Sequence, residues 1–129
     1  MKNFIALALI VLSTSVFAQS KTKVENVDAA TFKKYMDAGK GIIIDLRTDA
    51  ELESKGTIKG AIQIDFLAKD SETQISKLDR KKTYMIYCAA GGRSSECVEL
   101  MQKQGFAHVI HLEKGFDDWK KKGFETVKK

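Results

Sequence analysis

The chain has 129 residues, with 22 basic and 17 acidic side chains and a formal net charge of +5. This mild positive excess comes without a basic stripe or a nucleic-acid-binding motif, which argues against nucleic acid as a partner. Beyond the N-terminal segment no stretch is apolar enough to span a bilayer, so we expect no stable membrane insertion after that segment is removed.

The N-terminal segment, residues 1–18, has the pattern of a secretory signal peptide. Lys2 precedes an apolar run over residues 4–11, and the small residue Ala18 marks the expected cleavage site. A membrane anchor is the alternative, but the apolar run is short and Ser13 interrupts it. We therefore expect residues 19–129 to form one exported domain, located in the periplasm.

The rest of the chain predicts helices and strands in alternation. The first half predicts a helix over 29–36 capped by 26–28, a strand over 42–44, a short helix over 49–53 capped by Thr48, and a strand over 61–64. The second half predicts a helix over 71–78, a strand over 83–87, a helix capped by Ser94 or Ser95 and ending near 104, a strand over 109–112, and a helix over 116–122. This alternation is typical of an α/β domain with a parallel sheet.

Cys88 directly follows the strongest predicted strand, at the sheet edge where ligands bind in such folds. Small residues after it allow the backbone to curl and to aim several N–H groups at the sulfur. The positive end of the next helix would add to this field, and Arg93 would supply charge or scaffold hydrogen bonds. The predicted sulfur-binding loop is Ala89, Ala90, Gly91, Gly92, Arg93 and Ser94.

The second cysteine, Cys97, lies nine positions after Cys88. In an exported protein the alternative is a structural disulfide between the two, but a bridge to a residue within the next helix would distort the start of that helix. Cys97 also shares a predicted helical face with apolar residues, which favours a place in the core. His108 and His111 are expected on opposite faces of a strand, so no metal site is predicted.

Several motifs in order resemble the single-domain rhodaneses of the thiosulfate sulfurtransferase superfamily. They are 44–48 (Ile-Asp-Leu-Arg-Thr), 56–61 (Gly-Thr-Ile-Lys-Gly-Ala), the loop 88–94, 105–106 (Gly-Phe), and 112–116 with Trp119. The resemblance implies a rhodanese-like three-layer α/β/α sandwich around a five-stranded, mainly parallel sheet. It also implies that Cys88 forms a persulfide and that Asp45 and Arg47 are structural supports.

The departures from the family pattern concern the turns and the loop. Thr57 replaces a usual histidine, Lys59 a usual proline and Lys114 a glycine, and Ala89-Ala90 stands where thiosulfate-using members often carry a basic or polar side chain. Related phosphatases and arsenate reductases place five residues between cysteine and arginine. This chain has four, a spacing that resembles the sulfur-handling type.

Two functions follow as hypotheses. The first is a sulfurtransferase that needs no cofactor and moves sulfane sulfur from a small donor such as thiosulfate to a thiol or cyanide acceptor, the thiol being small or protein-borne. The second is a rhodanese-like binding or sulfur- and redox-sensing module of the cell envelope that does not turn over. Ala89-Ala90 favours the second, because the loop lacks a charge that would attract a dianionic donor.

Overall fold

The computed structural model describes residues 21–129, so the expected signal peptide lies outside the described part of the chain. Strands and helices alternate through these residues. The strands are β1 (Lys23–Val27), β2 (Ile42–Asp45), β3 (Ile62–Gln63), β4 (Thr83–Tyr87) and β5 (His108–Leu112). The helices are α1 (Ala29–Asp37), α2 (Asp49–Lys55), α3 (Ser71–Ser76), α4 (Gly92–Lys103) and α5 (Gly115–Lys121).

The strands form one parallel sheet in the order β1-β5-β4-β2-β3. β4 lies at its centre and pairs with β2 on one side and β5 on the other. Its sequence of β-branched and aromatic residues suits a strand covered on both faces. All five carboxyl ends therefore point to one edge of the sheet, where Cys88 follows β4.

Side chains of β4 alternate between two hydrophobic cores. Tyr84 and Ile86 pack on one face, in the core cluster that also contains residues of α3 and α4. Met85 and Tyr87 pack on the other face, in the cluster that contains residues of α1 and α5. Helices thus cover both faces of the sheet, which confirms the three-layer α/β/α sandwich and the five-stranded parallel sheet expected from the sequence.

Side-chain caps begin the first two helices, as the sequence predicts. The Asp28 side chain accepts a hydrogen bond of 2.8 Å from the N–H of Thr31 at the start of α1. At the start of α2, Thr48 and Glu51 form a reciprocal capping box, in which each side chain accepts from the backbone N–H of the other. Such caps satisfy N–H groups that have no partner within the helix.

The structure corrects three parts of the predicted layout. β1 was not predicted, and Asn26 and Val27 belong to this edge strand instead of helping Asp28 to cap α1. β3 is shorter than the predicted strand over 61–64. α4 begins at Gly92, with Gly91 as its N-cap at a φ of 111°, so neither Ser94 nor Ser95 caps it. The left-handed turn at Gly91 starts the helix earlier than a serine cap would.

The last helix, α5, covers the hydrophobic core that also contains residues of α1, as predicted. Phe116 and Trp119 of α5 are almost fully buried, and the Trp119 indole N–H donates to the carbonyl of Glu125 at 3.0 Å. This bond gives the one polar atom of a buried indole a partner. Within residues 21–129, none of the helices combines the length and apolar character that a membrane crossing needs.

Candidate functional site

The Cys88 sulfur lies inside the turn that connects β4 to α4. The backbone N–H of Gly91 donates to Sγ at 3.1 Å and that of Ser94 donates at 3.4 Å. The Ser94 hydroxyl oxygen lies 3.3 Å from the same sulfur. The turn between Cys88 and the first residues of α4 therefore surrounds one sulfur atom with hydrogen-bond donors, in the way that backbone nests bind anions.

These donors favour the thiolate form of Cys88. Burial by itself would raise the pKa of the thiol, but hydrogen bonds from Ser94 and from the N–H groups of Gly91 and Ala90 outweigh it, so the pKa lies below its ordinary value. Only 1% of the residue is exposed. Almost none of its surface is therefore in contact with solvent.

The start of α5 holds the first part of the loop in place. The N–H of Phe116 donates to the carbonyl of Cys88 at 2.9 Å, and that of Asp117 donates to the carbonyl of Ala89 at 3.0 Å. A side chain at Gly115, whose φ is 69°, would lie 2.7 Å from the Cys88 carbonyl oxygen. Glycine at this position lets the two backbones approach closely enough for the bonds to form.

Arg93 pairs with α2. Its guanidinium makes a bidentate ion pair with Glu51, with Nη1–Oε1 and Nη2–Oε2 distances of 2.7 Å and 2.9 Å. Glu51 is the capping-box residue of α2, so one carboxylate connects the start of α2 to the loop. These contacts support the scaffold role expected for Arg93.

The Glu51–Arg93 pair predicts an acid-sensitive contribution to stability. The hydrogen bonds from Arg93 lower the pKa of Glu51 from 4.5 to about 2. A lowered carboxyl pKa stabilises the fold above about pH 4.5, and this contribution is lost as the pH falls through about 2. We expect a Glu51→Gln variant, which retains an acceptor oxygen for the cap, to be less stable at neutral pH and to lose less stability on acidification.

Urea unfolding at a series of pH values measures this difference. Glu53→Gln, which removes an exposed glutamate from the same helix, is the matched control and should change the free energy of unfolding at neutral pH by less than about 0.5 kcal/mol. If the free energy of unfolding of Glu51→Gln has the same pH dependence as that of the wild type, the pair does not make this contribution.

Asp45 and Arg47 form a buried ion pair below the loop, with side chains that are 0% and 1% exposed. Arg47 Nε and Nη2 donate to the two carboxylate oxygens of Asp45 at 3.0 Å and 2.8 Å. The hydroxyls of Thr57 and Tyr87 add bonds of 2.8 Å and 2.6 Å to the same carboxylate. Arg47 also donates to the carbonyl of Gly56 at 2.7 Å. These contacts join β2, β4 and the turn after α2.

Cys97 lies in the hydrophobic core on the α4 side of the sheet. It is 1% exposed and packs in the same apolar cluster as Val98 and Met101, as the helical pattern predicted. Burial raises its pKa to about 12, so it remains a thiol at neutral pH. Both cysteines are free in the structure.

His111 is the site residue that the sequence analysis missed. Its Nε2 lies 2.7 Å from the Ser94 hydroxyl oxygen, and its Nδ1 lies 2.9 Å from Oδ1 of Asn26 in β1. The sequence carried one signal for it, because residues 109 and 111 share a face of a strand and Val109 is a core residue on the α4 side. His108, on the other face, instead contacts Glu25 and Thr83.

Comparison with known proteins identifies the family. The model of the rhodanese-like domain matches residues 28–122. The chain is 30% identical over 128 aligned residues to the Arabidopsis thaliana "Protein HIGH ARSENIC CONTENT 1, mitochondrial", covering 86% of this chain and 74% of that protein. It is 26% identical to the Allochromatium vinosum "Sulfurtransferase", covering 81% of this chain and 95% of that protein.

The solved structures agree with this result. A rhodanese-related protein from Thermoplasma volcanium superposes with a TM-score of 0.71 at 27% identity, covering 81% of this chain and 99% of that one. Some other curated relatives are much longer, and the chain spans 26% of their length. The family match covers most of the chain and includes the whole loop around Cys88, so the chain belongs to the rhodanese-like domain family.

Proposed function

We propose that the protein is a sulfurtransferase in which Cys88 accepts a sulfane sulfur from a donor such as thiosulfate and passes it to a thiol or to cyanide. The observation that carries the proposal is the set of donors on Cys88 Sγ, from the N–H groups of Gly91 and Ser94 and from the Ser94 hydroxyl. Relatives that bear the name sulfurtransferase support the same chemistry.

The reaction balances without a cofactor or an external oxidant. The Cys88 thiolate attacks the outer sulfur of thiosulfate, a new S–S bond forms, and sulfite leaves with the electron pair of the broken S–S bond. Cys88 then carries a persulfide anion. A thiolate or cyanide acceptor attacks the outer sulfur, forming a new persulfide or thiocyanate, and the electron pair of the second broken S–S bond restores the Cys88 thiolate.

The loop supplies stabilisation for the anions of this cycle. Gly92 and Arg93 are the first residues of α4, and N–H groups at the start of a helix have no acceptor within it. In the proposal these groups, with those of Ala89 and Ala90, receive the outer sulfur of the persulfide. Preorganised N–H donors of this kind stabilise charge without having to reorient during the reaction.

The charges around the loop bear on the choice of donor. Ala89 and Ala90 bring no charge, and the guanidinium of Arg93 is already paired with Glu51. A dianion such as thiosulfate therefore gains little long-range attraction. The burial of Cys88 favours a donor with a projecting terminal sulfur, which includes small and protein-bound persulfides as well as thiosulfate.

A binding or sensing module without turnover is the second candidate. The deep burial of Cys88, at 1% exposure, favours it, since repeated exchange with two substrates needs easier access than a single capture does. The two candidates differ in stoichiometry. An enzyme forms many equivalents of thiocyanate or of a new persulfide, whereas a module takes up one sulfur atom and stops.

We also propose that the protein acts in the periplasm, where residues 1–18 are removed as a signal peptide. The charged start, the apolar run and the small residue Ala18 support this proposal. Its donor and acceptor would then be periplasmic thiol compounds or proteins. Mass measurement of the protein from periplasmic extracts tests it, because a mature chain that begins at Gln19 is expected and one that retains Lys2 would contradict it.

The test of sulfur transfer is a loading and release experiment on the reduced protein. Intact-mass spectrometry after incubation with thiosulfate, and separately with a glutathione persulfide donor, is expected to show one added sulfur atom per chain. Cyanide should then remove this sulfur as thiocyanate and restore the original mass. If neither donor adds sulfur to the reduced protein, the proposed function is wrong.

A further inference from the structure

A chain of hydrogen bonds leads from Cys88 across the sheet edge to β1. The Ser94 hydroxyl oxygen lies 3.3 Å from Cys88 Sγ and 2.7 Å from His111 Nε2. On the other side of the imidazole ring, His111 Nδ1 lies 2.9 Å from Asn26 Oδ1. His111 is only 3% exposed, so Ser94 and Asn26 are the partners of its two nitrogens in place of bulk water.

Asn26 determines which nitrogen of the ring carries the proton. An amide oxygen only accepts hydrogen bonds, so His111 Nδ1 is the protonated nitrogen and Nε2 presents a lone pair to Ser94. Burial lowers the pKa of His111, which keeps the ring neutral near neutral pH. A neutral Nε2 beside a hydroxyl is a base that can take a proton.

The Ser94 hydroxyl has one proton and three neighbouring acceptors, which are Cys88 Sγ, His111 Nε2 and the Gly91 carbonyl oxygen at 3.2 Å. With Cys88 as a thiol, S–H donates to Ser94 Oγ and the Ser94 O–H donates to His111 Nε2. The Cys88 proton can move to Ser94 Oγ while the Ser94 proton moves to His111 Nε2. Cys88 then becomes a thiolate, Ser94 remains neutral and donates to the sulfur, and His111 becomes an imidazolium that donates to Ser94. Each atom keeps a partner in both states, and Nδ1–H still donates to Asn26.

We propose that His111 is a positioning residue that receives the Cys88 proton through the Ser94 hydroxyl and so sets how much thiolate is present. The S–H electron pair stays on sulfur, where it is available for attack on the sulfur donor. This proposal rests on the proposed function of Cys88 and adds to it the destination of the proton. It also explains why a histidine at the end of β5 is buried beside a serine of α4.

The charged and titratable neighbours of His111 are consistent with this role. Glu113, just beyond the end of β5, favours the imidazolium, and it opposes the effect of burial. From the α4 side, Cys88 faces the ring through Ser94. From β1, the facing group is the neutral amide of Asn26. A thiolate at Cys88 therefore adds to the groups that stabilise the charged ring.

The test is a pH titration of thiolate absorbance in a Cys97→Ala background, in which Cys88 is the remaining cysteine. His111→Gln keeps a hydrogen-bonding group near Ser94 but cannot take a proton, and we expect it to lower the thiolate fraction near neutral pH by about tenfold. Asn26→Asp places a carboxylate against Nδ1–H, which favours the imidazolium, and we expect its thiolate to form at lower pH than in the parent.

His108→Gln is the matched control. It makes the same substitution at the other histidine, which lies on the opposite face of β5 and at the other end of this strand from the loop, and its titration curve should coincide with that of the parent. Asn26 is exposed, so Asn26→Asp provides a readout even if His111→Gln fails to fold.

The rate of sulfur loading gives a second readout. His111→Gln should load sulfur about tenfold more slowly near neutral pH, and the difference should disappear at alkaline pH, where solvent takes the proton directly. A rate reduced by the same factor at every pH, or titration curves that coincide for all variants, would overturn the role of His111 while leaving sulfur transfer itself intact. If the thiolate of Asn26→Asp forms at lower pH than in the parent and that of His111→Gln at higher pH, but no variant loads sulfur, the relay is upheld and the proposed function is rejected.

Discussion

A Cys88→Ser variant is expected to fold like the wild type but to accept no sulfur. Serine at this position can still accept hydrogen bonds from the N–H groups of Gly91 and Ser94, so the loop keeps its internal contacts. A hydroxyl, however, does not ionise near neutral pH and forms no persulfide. We expect thiocyanate formation to fall at least about a thousandfold, as it does when a covalent nucleophile is removed.

Cys97→Ala is the matched control for this experiment. Cys97 is buried in the core and burial raises its pKa to about 12, so its removal should leave sulfur loading within about twofold of the wild type. Intact-mass spectrometry of both variants after incubation with the donor makes the comparison. Equal loading of Cys88→Ser and the wild type would remove Cys88 from the mechanism, and loss of loading in Cys97→Ala would show that Cys88 does not act alone.

An Arg47→Met variant is expected to lose about 3–5 kcal/mol of folding free energy, the usual cost of removing one partner of a buried ion pair. The Asp45 carboxylate would remain buried among Thr57 and Tyr87 without its counter-charge. The lost guanidinium also packs over the Phe116 ring, with Cζ 3.8 Å from the ring centroid. A loss of this size is a large share of the stability of a domain of this length. Urea unfolding at neutral pH measures it.

Two further variants separate charge burial from loss of packing. Lys33→Met breaks a surface ion pair with Asp37, a single contact at the similar distance of 2.7 Å, and it should cost less than about 0.5 kcal/mol. Asp45→Asn combined with Arg47→Met removes both charges and should recover part of the loss. If Arg47→Met is too unstable to purify, the yields of folded protein for Arg47→Met and for the double variant are compared instead. An Arg47→Met protein as stable as Lys33→Met would contradict the prediction.

The fold places the loop around Cys88 between two fixed supports. On one side, hydrogen bonds from the start of α5 hold the carbonyls of Cys88 and Ala89. On the other, the Glu51 carboxylate holds Arg93 at the start of α4. Contacts from α2 and α5 therefore preorganise the loop that begins α4, as the proposed stabilisation of a persulfide anion requires.

Local signals in the sequence were sufficient for the central strand and for the layers around it. β4 has the predicted bounds, Thr83–Tyr87, because a run of β-branched and aromatic residues next to a glycine-rich turn has few alternatives. The caps at Asp28 and Thr48 act within three residues, so their partners are visible in the sequence. The placement of Cys88 after a buried strand follows from the same local patterns.

Contacts between distant segments required the tertiary structure. β1 carries polar residues and gains its hydrogen bonds from β5, about 85 positions later, so its own pattern did not predict a strand. Arg93 finds Glu51 across 42 positions, and only the docking of α2 beside the loop decides that its charge is neutralised.

The surroundings of His111 show the same difference between local sequence signals and contacts made by distant segments. The composition of the loop indicated that main-chain donors could surround one sulfur, because small residues and glycines allow the backbone to curl tightly. Whether that sulfur also has a proton acceptor depended on the strand order β1-β5-β4, which brings Asn26 and Ser94 to opposite sides of one ring. Backbone conformation is a local property of the residues, whereas a hydrogen-bond chain through three elements exists only after the sheet and its helices have packed together.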